Sequence, residues 1–162
     1  MLLMRVHFTI HQKPFSVNRA YYRNRQLTKE ARKWRAEFLV QLQDPHIQAD
    51  LAKMHKLFDP SKHAFVVSYR FCYPSNKLLT KQGHISKLSC DLTNLEKLVQ
   101  DNIFDHRFNG REIRELIIQN LDIDDKFIIQ CHSYKLLSPT NEYLIQVALE
   151  IVALSDHVDP LK

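Results

Sequence analysis

Four stretches of strict alternation limit what this chain can fold into. Met4, Val6, Phe8 and Ile10 alternate with Arg5, His7 and Thr9; Phe65, Val67, Tyr69 and Phe71 alternate with Val66, Ser68 and Arg70. Further on, Phe127, Ile129 and Cys131 alternate with Ile128, Gln130 and His132, and Tyr143, Ile145, Val147, Leu149 and Ile151 with Leu144, Gln146, Ala148 and Glu150. A period of two is the mark of a half-buried strand, so four strands are predicted. The turn-forming run Leu137-Ser138-Pro139-Thr140-Asn141 joins the last two and predicts a hairpin.

Helical periodicity interrupts these strands twice. Between Thr28 and Gln43, Ala31, Trp34, Phe38 and Leu42 fall within about 80° of one another on a helical wheel, with Lys29, Arg32 and Lys33 on the far side. A second helix is predicted from Thr93 to Phe104, continuing irregularly through 111–117; Leu92, Leu95, Val99 and Ile103 form its apolar stripe, while Asn94, Lys97, Asp101 and Asp105 share another face. Residues 44–62 are polar with a helical middle over 47–58, and 74–89 read as a lysine-bearing loop around Gly83. The order strand, helix, strand, helix, strand, strand indicates one α/β (α+β) domain over 1–162: a small mixed sheet of about four strands with two main helices.

A chain of 162 residues with 44% hydrophobic and 25% charged residues can bury a core without staples. Its only glycines, Gly83 and Gly110, exclude a Walker A loop, a Rossmann fingerprint and a serine-hydrolase elbow. Cys72, Cys90 and Cys131 are odd in number and lack C-x-x-C spacing; they fit a reducing compartment and read as small buried apolar residues. Met1-Leu2-Leu3-Met4 is too short for a signal-peptide core, and no apolar run is long enough to span a bilayer, so neither export nor a membrane is expected.

Charge is segregated along the chain. Arg5, Lys13, Arg19, Arg23, Arg25, Lys29, Arg32, Lys33 and Arg35 stand against the single acid Glu30 in the first 35 residues, whereas the remainder is net acidic. A basic end beside an acidic pocket suggests a polyanion held by one surface and a metal by another. Lys13, Asn18, Arg19, Arg23, Arg25, Lys29, Arg32 and Lys33 are the candidate phosphate contacts, with an ordinary solvated face as the bland alternative. Tyr21, Tyr22 and Trp34 are aromatic groups able to stack on bases, although core packing better suits Trp34.

The acidic residues concentrate in Asp91-Leu92-Thr93-Asn94-Leu95-Glu96-Lys97, in Asp101 and in Asp124-Asp125. Carboxylates from two segments, with a lysine nearby, are the ligand set of a metal-assisted phosphodiester hydrolase. Each also has a structural reading. Asp91 stands at a helix start, and Thr93-x-x-Glu96 has the form of a capping box. Asp124-Asp125 is either an exposed turn or a metal site, and Lys97 is either an i,i+4 partner of Asp101 or a group that stabilises charge on a scissile phosphate.

The run Cys90 to Asp101, followed by Ile123-Asp124-Asp125-Lys126-Phe127-Ile128, resembles the RusA family of Holliday-junction resolvases, which show D-x-D-N-x-x-K-x-x-x-D on a helix and then D-D before a strand. Thr9-Ile10-His11-Gln12-Lys13-Pro14-Phe15-Ser16-Val17-Asn18-Arg19 is similar to that family's opening strand and its turn. The resemblance implies a RusA-like fold and a homodimeric, Mg²⁺-dependent endonuclease (Mn²⁺ as the alternative ion) that nicks opposed strands of a four-way DNA junction in recombination and repair. It also implies the cytoplasm of a bacterium or phage-infected host. Carried over by position, Asp91 and Asp125 are catalytic, metal-binding carboxylates, Lys97 is the catalytic lysine and Asp124 a supporting acid. Thr93 stands where the family has its second carboxylate; it could hold a metal-bound water, with Asp101 approaching the site from further along the helix. The connector 105–121 is longer than the family's and has no assigned role.

Two rival expectations follow. With Thr93 in place of a carboxylate, the chain would be a catalytically silent branched-DNA-binding protein of the same fold. Alternatively, Cys90, Cys131, His132 and His84 would form a structural zinc site, for which their scattered spacing is poor.

Overall fold

The computed structural model describes residues 1–21 and 26–156. They form a single α/β domain. In chain order the elements are β1 (Leu2–Ile10), α1 (Lys29–Leu42), α2 (Pro45–Leu57), β2 (His63–Tyr73), the one-turn α3 (Ser75–Leu78), α4 (Leu92–Phe104), β3 (Glu112–Ile113), β4 (Leu116–Ile117), β5 (Ile128–Leu137) and β6 (Leu144–Ala153).

The main sheet has the order β1-β6-β2-β5, and β3 and β4 form a separate two-stranded hairpin. β6 pairs antiparallel with both β1 and β2, whereas β5 pairs parallel with β2. All four alternating stretches are therefore strands, but the predicted β5–β6 hairpin does not form. The chain leaves β5 at Leu137, and the Ser138 amide donates to Tyr73 O at the end of β2 (2.8 Å). Burial decides the order. β2 is buried at most of its positions and sits inside the sheet; β5 carries Gln130, His132 and Lys135 and takes the edge.

Helices cover one face of the sheet, where Val6, Ile10, Phe65, Val67, Tyr69, Ile145, Val147 and Leu149 meet Phe38, Leu42, Met54, Leu95, Val99 and Ile103 in one core. The opposite face, with Arg5, His7, Arg70 and Tyr134, is exposed. Rings knit the layers together: Phe58 stacks on Phe65 at 4.8 Å, and Phe104 meets Phe65 edge-on at 5.4 Å. Trp34 is buried, packs 5.4 Å from Phe38 and donates its indole N–H to Lys13 O. It belongs to the core and is not a base-stacking group.

Each helix start has a local cause. Thr28 Oγ1 accepts from the Ala31 amide ahead of α1, and Asp44 accepts from the His46 and Ile47 amides ahead of α2, where Pro45 occupies the first turn. α2 is as substantial as α4, so there are three main helices, not two; Ile47, Leu51 and Met54 supply its buried stripe. The expected helical continuation over 111–117 is instead the β3–β4 hairpin. Its turn residues Arg114 and Glu115 have φ values of 50° and 63°, a left-handed pair that suits a two-residue hairpin and breaks a right-handed helix. No helix among the described residues is long and apolar enough to cross a membrane.

Candidate active site at the C-terminal half of helix α4

α4 and β5 lie one over the other and run in opposite directions, as three side-chain contacts show. Ser133 Oγ donates to Glu96 Oε2, Gln100 Nε2 donates to Asp125 Oδ2 (3.4 Å), and Lys135 Nζ donates to Ser89 Oγ and Cys90 O just before the helix (both 2.8 Å). The Asp125 end of β5 therefore lies against the C-terminal half of α4, and the Lys135 end lies beside Asp91.

This layering divides the candidate residues. Lys97 Nζ contacts Asp101 at 3.3 Å, the i,i+4 pair expected from the sequence. Asp101 is only 14% exposed at its side chain and faces a cleft of about 290 Å³ lined also by Phe104, Asp105, His106, Asp124 and Asp125. Burial raises the Asp101 carboxyl above its ordinary range; Lys97 pulls it back, while Asp105 and Asp125 push it further up. The fully buried Tyr69 registers the same gathering of acids. Its phenol is pushed well up, first by burial and then by Cys131, Glu96, Asp101 and Asp125, and its hydroxyl donates to Gln100 Oε1 at 3.3 Å. Gln100 thus links the core to Asp125, a role with no signal in the sequence.

The four carboxylates of the cleft are not equivalent. Asp105 is committed to Arg107, whose Nη2 lies 2.6 Å from its Oδ2, and this holds its carboxyl below the usual range. Asp124 caps a one-turn 3-10 segment, Asp125–Phe127, by accepting from the Lys126 amide at 2.9 Å. It is the structural member of its pair. Asp101, paired with Lys97, and Asp125, held by Gln100, remain for a ligand.

Asp91 and Thr93 lie elsewhere. Asp91 is the N-cap residue of α4, but its carboxylate is exposed and accepts no hydrogen bond among the described residues. At 1.5 Å per residue, the ten residues from Asp91 to Asp101 span about 15 Å of helix axis. Asp125 is held at Gln100, nine residues along α4 from Asp91, and no contact joins Asp91 to Asp125 among the described residues. Thr93 is exposed inside the first turn and no capping box forms, because Glu96 turns to Ser133 on β5. The step into Asp91 is strained: Cys90 has φ 63° and ψ 167°, a region that glycine ordinarily occupies, and Lys135 fixes its carbonyl.

Among the described residues, no three His, Cys, Asp or Glu side chains group closely enough to hold a metal by themselves. The zinc reading fails on this count. Cys131 donates to Glu96 on the helix-covered face, while His132, its neighbour along the strand, projects to the other. Cys131 is exposed as a residue, yet partial burial of its sulfur against α4, together with Glu96, raises its pKa to about 11, the wrong direction for a thiolate ligand. The carboxylate pair Asp101 and Asp125 suits a different ion. Mg²⁺ takes hard oxygen donors and is commonly held by one or two carboxylates completed by water and phosphate oxygens. A divalent cation would also offset the burial of the Asp101 charge and the smaller repulsion from Asp105 and Asp125.

Of the basic candidates, Lys13, Asn18, Arg19, Lys29, Arg32 and Lys33 are all exposed, the last three along the outer side of α1. Arg23 and Arg25, with Tyr22, lie outside the described residues. Lys13 rests over the Tyr143 ring at 5.5 Å. The chain matches no model of a known protein family and no curated protein.

Proposed function

We propose that this protein is a metal-dependent endonuclease of branched DNA, with the four-way junction as substrate and a two-fold homodimer as the acting form. The observation that carries the reading is the meeting of Asp101 and Asp125 at one cleft, with Lys97 paired to Asp101 and exposed basic residues along α1. The sequence resemblance to RusA resolvases supports the same reaction class and the RusA-like fold.

In this mechanism Asp101 and Asp125 would hold the divalent cation, Mg²⁺ or Mn²⁺, with Asp124 shaping the turn that presents Asp125. When bound, the ion supplies Lewis-acid polarisation of the scissile phosphate and lowers the pKa of an attacking water. Lys97, paired with Asp101 and exposed, would supply an ammonium that offsets charge on the phosphate oxygens as the transition state forms. Gln100 holds the Asp125 carboxylate, and Phe104 bounds the cleft on its apolar side. Lys13, Asn18, Arg19, Lys29, Arg32 and Lys33 bind the arms through phosphates and position the DNA without reading bases.

A second reading has a specific observation in its favour. Asp91 stands about three turns from Asp101 on α4, and Thr93 replaces a family carboxylate, which suits a protein that binds branched DNA without cutting it. An end-labelled synthetic junction, incubated with Mg²⁺ or with chelator, separates the two. Paired nicks that require both the ion and Asp125 support the nuclease. Binding without a product, alike for wild type and Asp125→Asn, supports the silent binder.

A further inference from the structure

A second cleft, of about 240 Å³, opens on the other side of Asp101, between α1 and the 105–121 connector. Arg35 from α1 and Arg107 and Arg111 from the connector line it, together with Phe108, Tyr21 and Asn102. Three guanidinium groups from segments some seventy residues apart in sequence converge here. Arg107 is neutralised by Asp105. Arg35 and Arg111 have no carboxylate within ion-pair distance among the described residues, and Arg35 instead lies over the Phe108 ring at 4.8 Å.

The free protein holds this arrangement at a cost. Burial opposes the Arg35 charge, Arg111, Arg32 and Arg107 repel it, and Tyr21 acts the other way. Arginine does not discharge in a protein, so such crowding persists as unsatisfied positive potential. An independent observation points the same way. Asn102 is 1% exposed, and its Nδ2 is the one buried side-chain polar atom without a hydrogen-bond partner among the described residues. A buried donor left unpaired is rare and calls for an acceptor. An anion entering this cleft would meet the two guanidinium groups that have no carboxylate partner, in a cleft that Asn102 also lines.

We propose that this cleft is a phosphate seat: Arg35, Arg111 and the Asn102 amide receive a backbone phosphodiester of the DNA substrate on one side of Asp101, while the acidic cleft lies on the other. The DNA assignment rests on the proposed function. It gives the 105–121 connector a task, because Arg107 bonded to Asp105 shapes the rim and Arg111 reaches the ligand. A planar fork of donors suits a phosphate better than a single ammonium would.

The test is fluorescence anisotropy of a labelled four-way junction over a KCl series, with wild type, Arg111→Ala, Arg35→Met and the remote Lys53→Ala. Arg35→Met keeps the packing on Phe108, and Arg111 is exposed, so both variants retain the fold; circular dichroism checks this. Each of the two should weaken binding about tenfold at low salt and make the log–log salt slope shallower by about one, with Lys53→Ala unchanged. Wild-type binding that both variants leave untouched in affinity and slope overturns the phosphate seat and leaves the nuclease reading standing. A wild-type protein that binds no DNA overturns the proposed function and the DNA assignment together.

Discussion

The two ends of α4 carry the same residue type in opposite circumstances. At the N-terminal end, Asp91 is exposed, accepts no hydrogen bond among the described residues, and follows a strained Cys90. Three turns later Asp101 is nearly buried, paired with Lys97 and crowded by Asp105 and Asp125. Asp91 has few constraints and can be replaced cheaply. Asp101 is held out of water beside other acids, with Lys97 offsetting part of that cost, and that is the difference between a carboxylate near a helix start and one in a site.

The largest expected effect comes from removing the crowded pair. Asp101→Asn and Asp125→Asn should each reduce junction nicking at least about 10²-fold, with Asp91→Asn reducing it far less. Single-turnover assays would measure this, and an equal loss in Asp91→Asn would erase the contrast between the helix ends. Next, Lys97→Met should reduce nicking about tenfold or more and shift its acid limit. Lys97 lowers the Asp101 carboxyl, so its loss lets burial raise it further, and the acidic limb of the pH–rate profile should move to higher pH.

A stability measurement sharpens the same comparison. The folded-state pKa of Asp101 lies above its unfolded value, so the group favours the fold most when protonated and loses that contribution as pH rises through the folded value. Thermal melts should therefore find Asp101→Asn gaining on wild type as pH rises from about 4 to 7. The smallest effect belongs to the other end. Asp91→Ala should change stability by less than about 0.5 kcal/mol, whereas Thr28→Ala and Asp44→Ala, which remove real caps, should each cost about 1 kcal/mol in urea titrations.

What the sequence revealed follows from what a local pattern can encode. Alternation identified β1, β2, β5 and β6 because it reports which side of a strand is buried, but it carries no information about partners. The β5–β6 hairpin was therefore expected, whereas β6 lies between β1 and β2. The β3–β4 turn escaped notice because Arg114 and Glu115 hold positive φ without the glycine or asparagine that usually marks it. In the candidate site, Lys97 with Asp101 was legible from i,i+4 spacing. Asp91 and Asp125 read as a pair because a motif looks like one point in sequence, whereas the helix sets Asp91 about 15 Å from Asp101. The arginine cleft had no local signature at all, since Arg35 meets Arg111 only through tertiary packing.

The edge position of β5 bears on how the molecule comes apart. Seven of its ten residues are exposed, whereas β6 has none exposed. Its parallel union with β2 also closes a crossover through 74–127 that contains the whole of α4 and every residue lining the acidic cleft. Long-range closure of this kind forms late and opens early, so amide exchange at Gln130 and His132 should outpace that at Val147 and Leu149. Detachment of β5 would draw Asp125 away from Gln100 while the three antiparallel strands stay zipped. Warming should thus silence the acidic cleft before the domain melts.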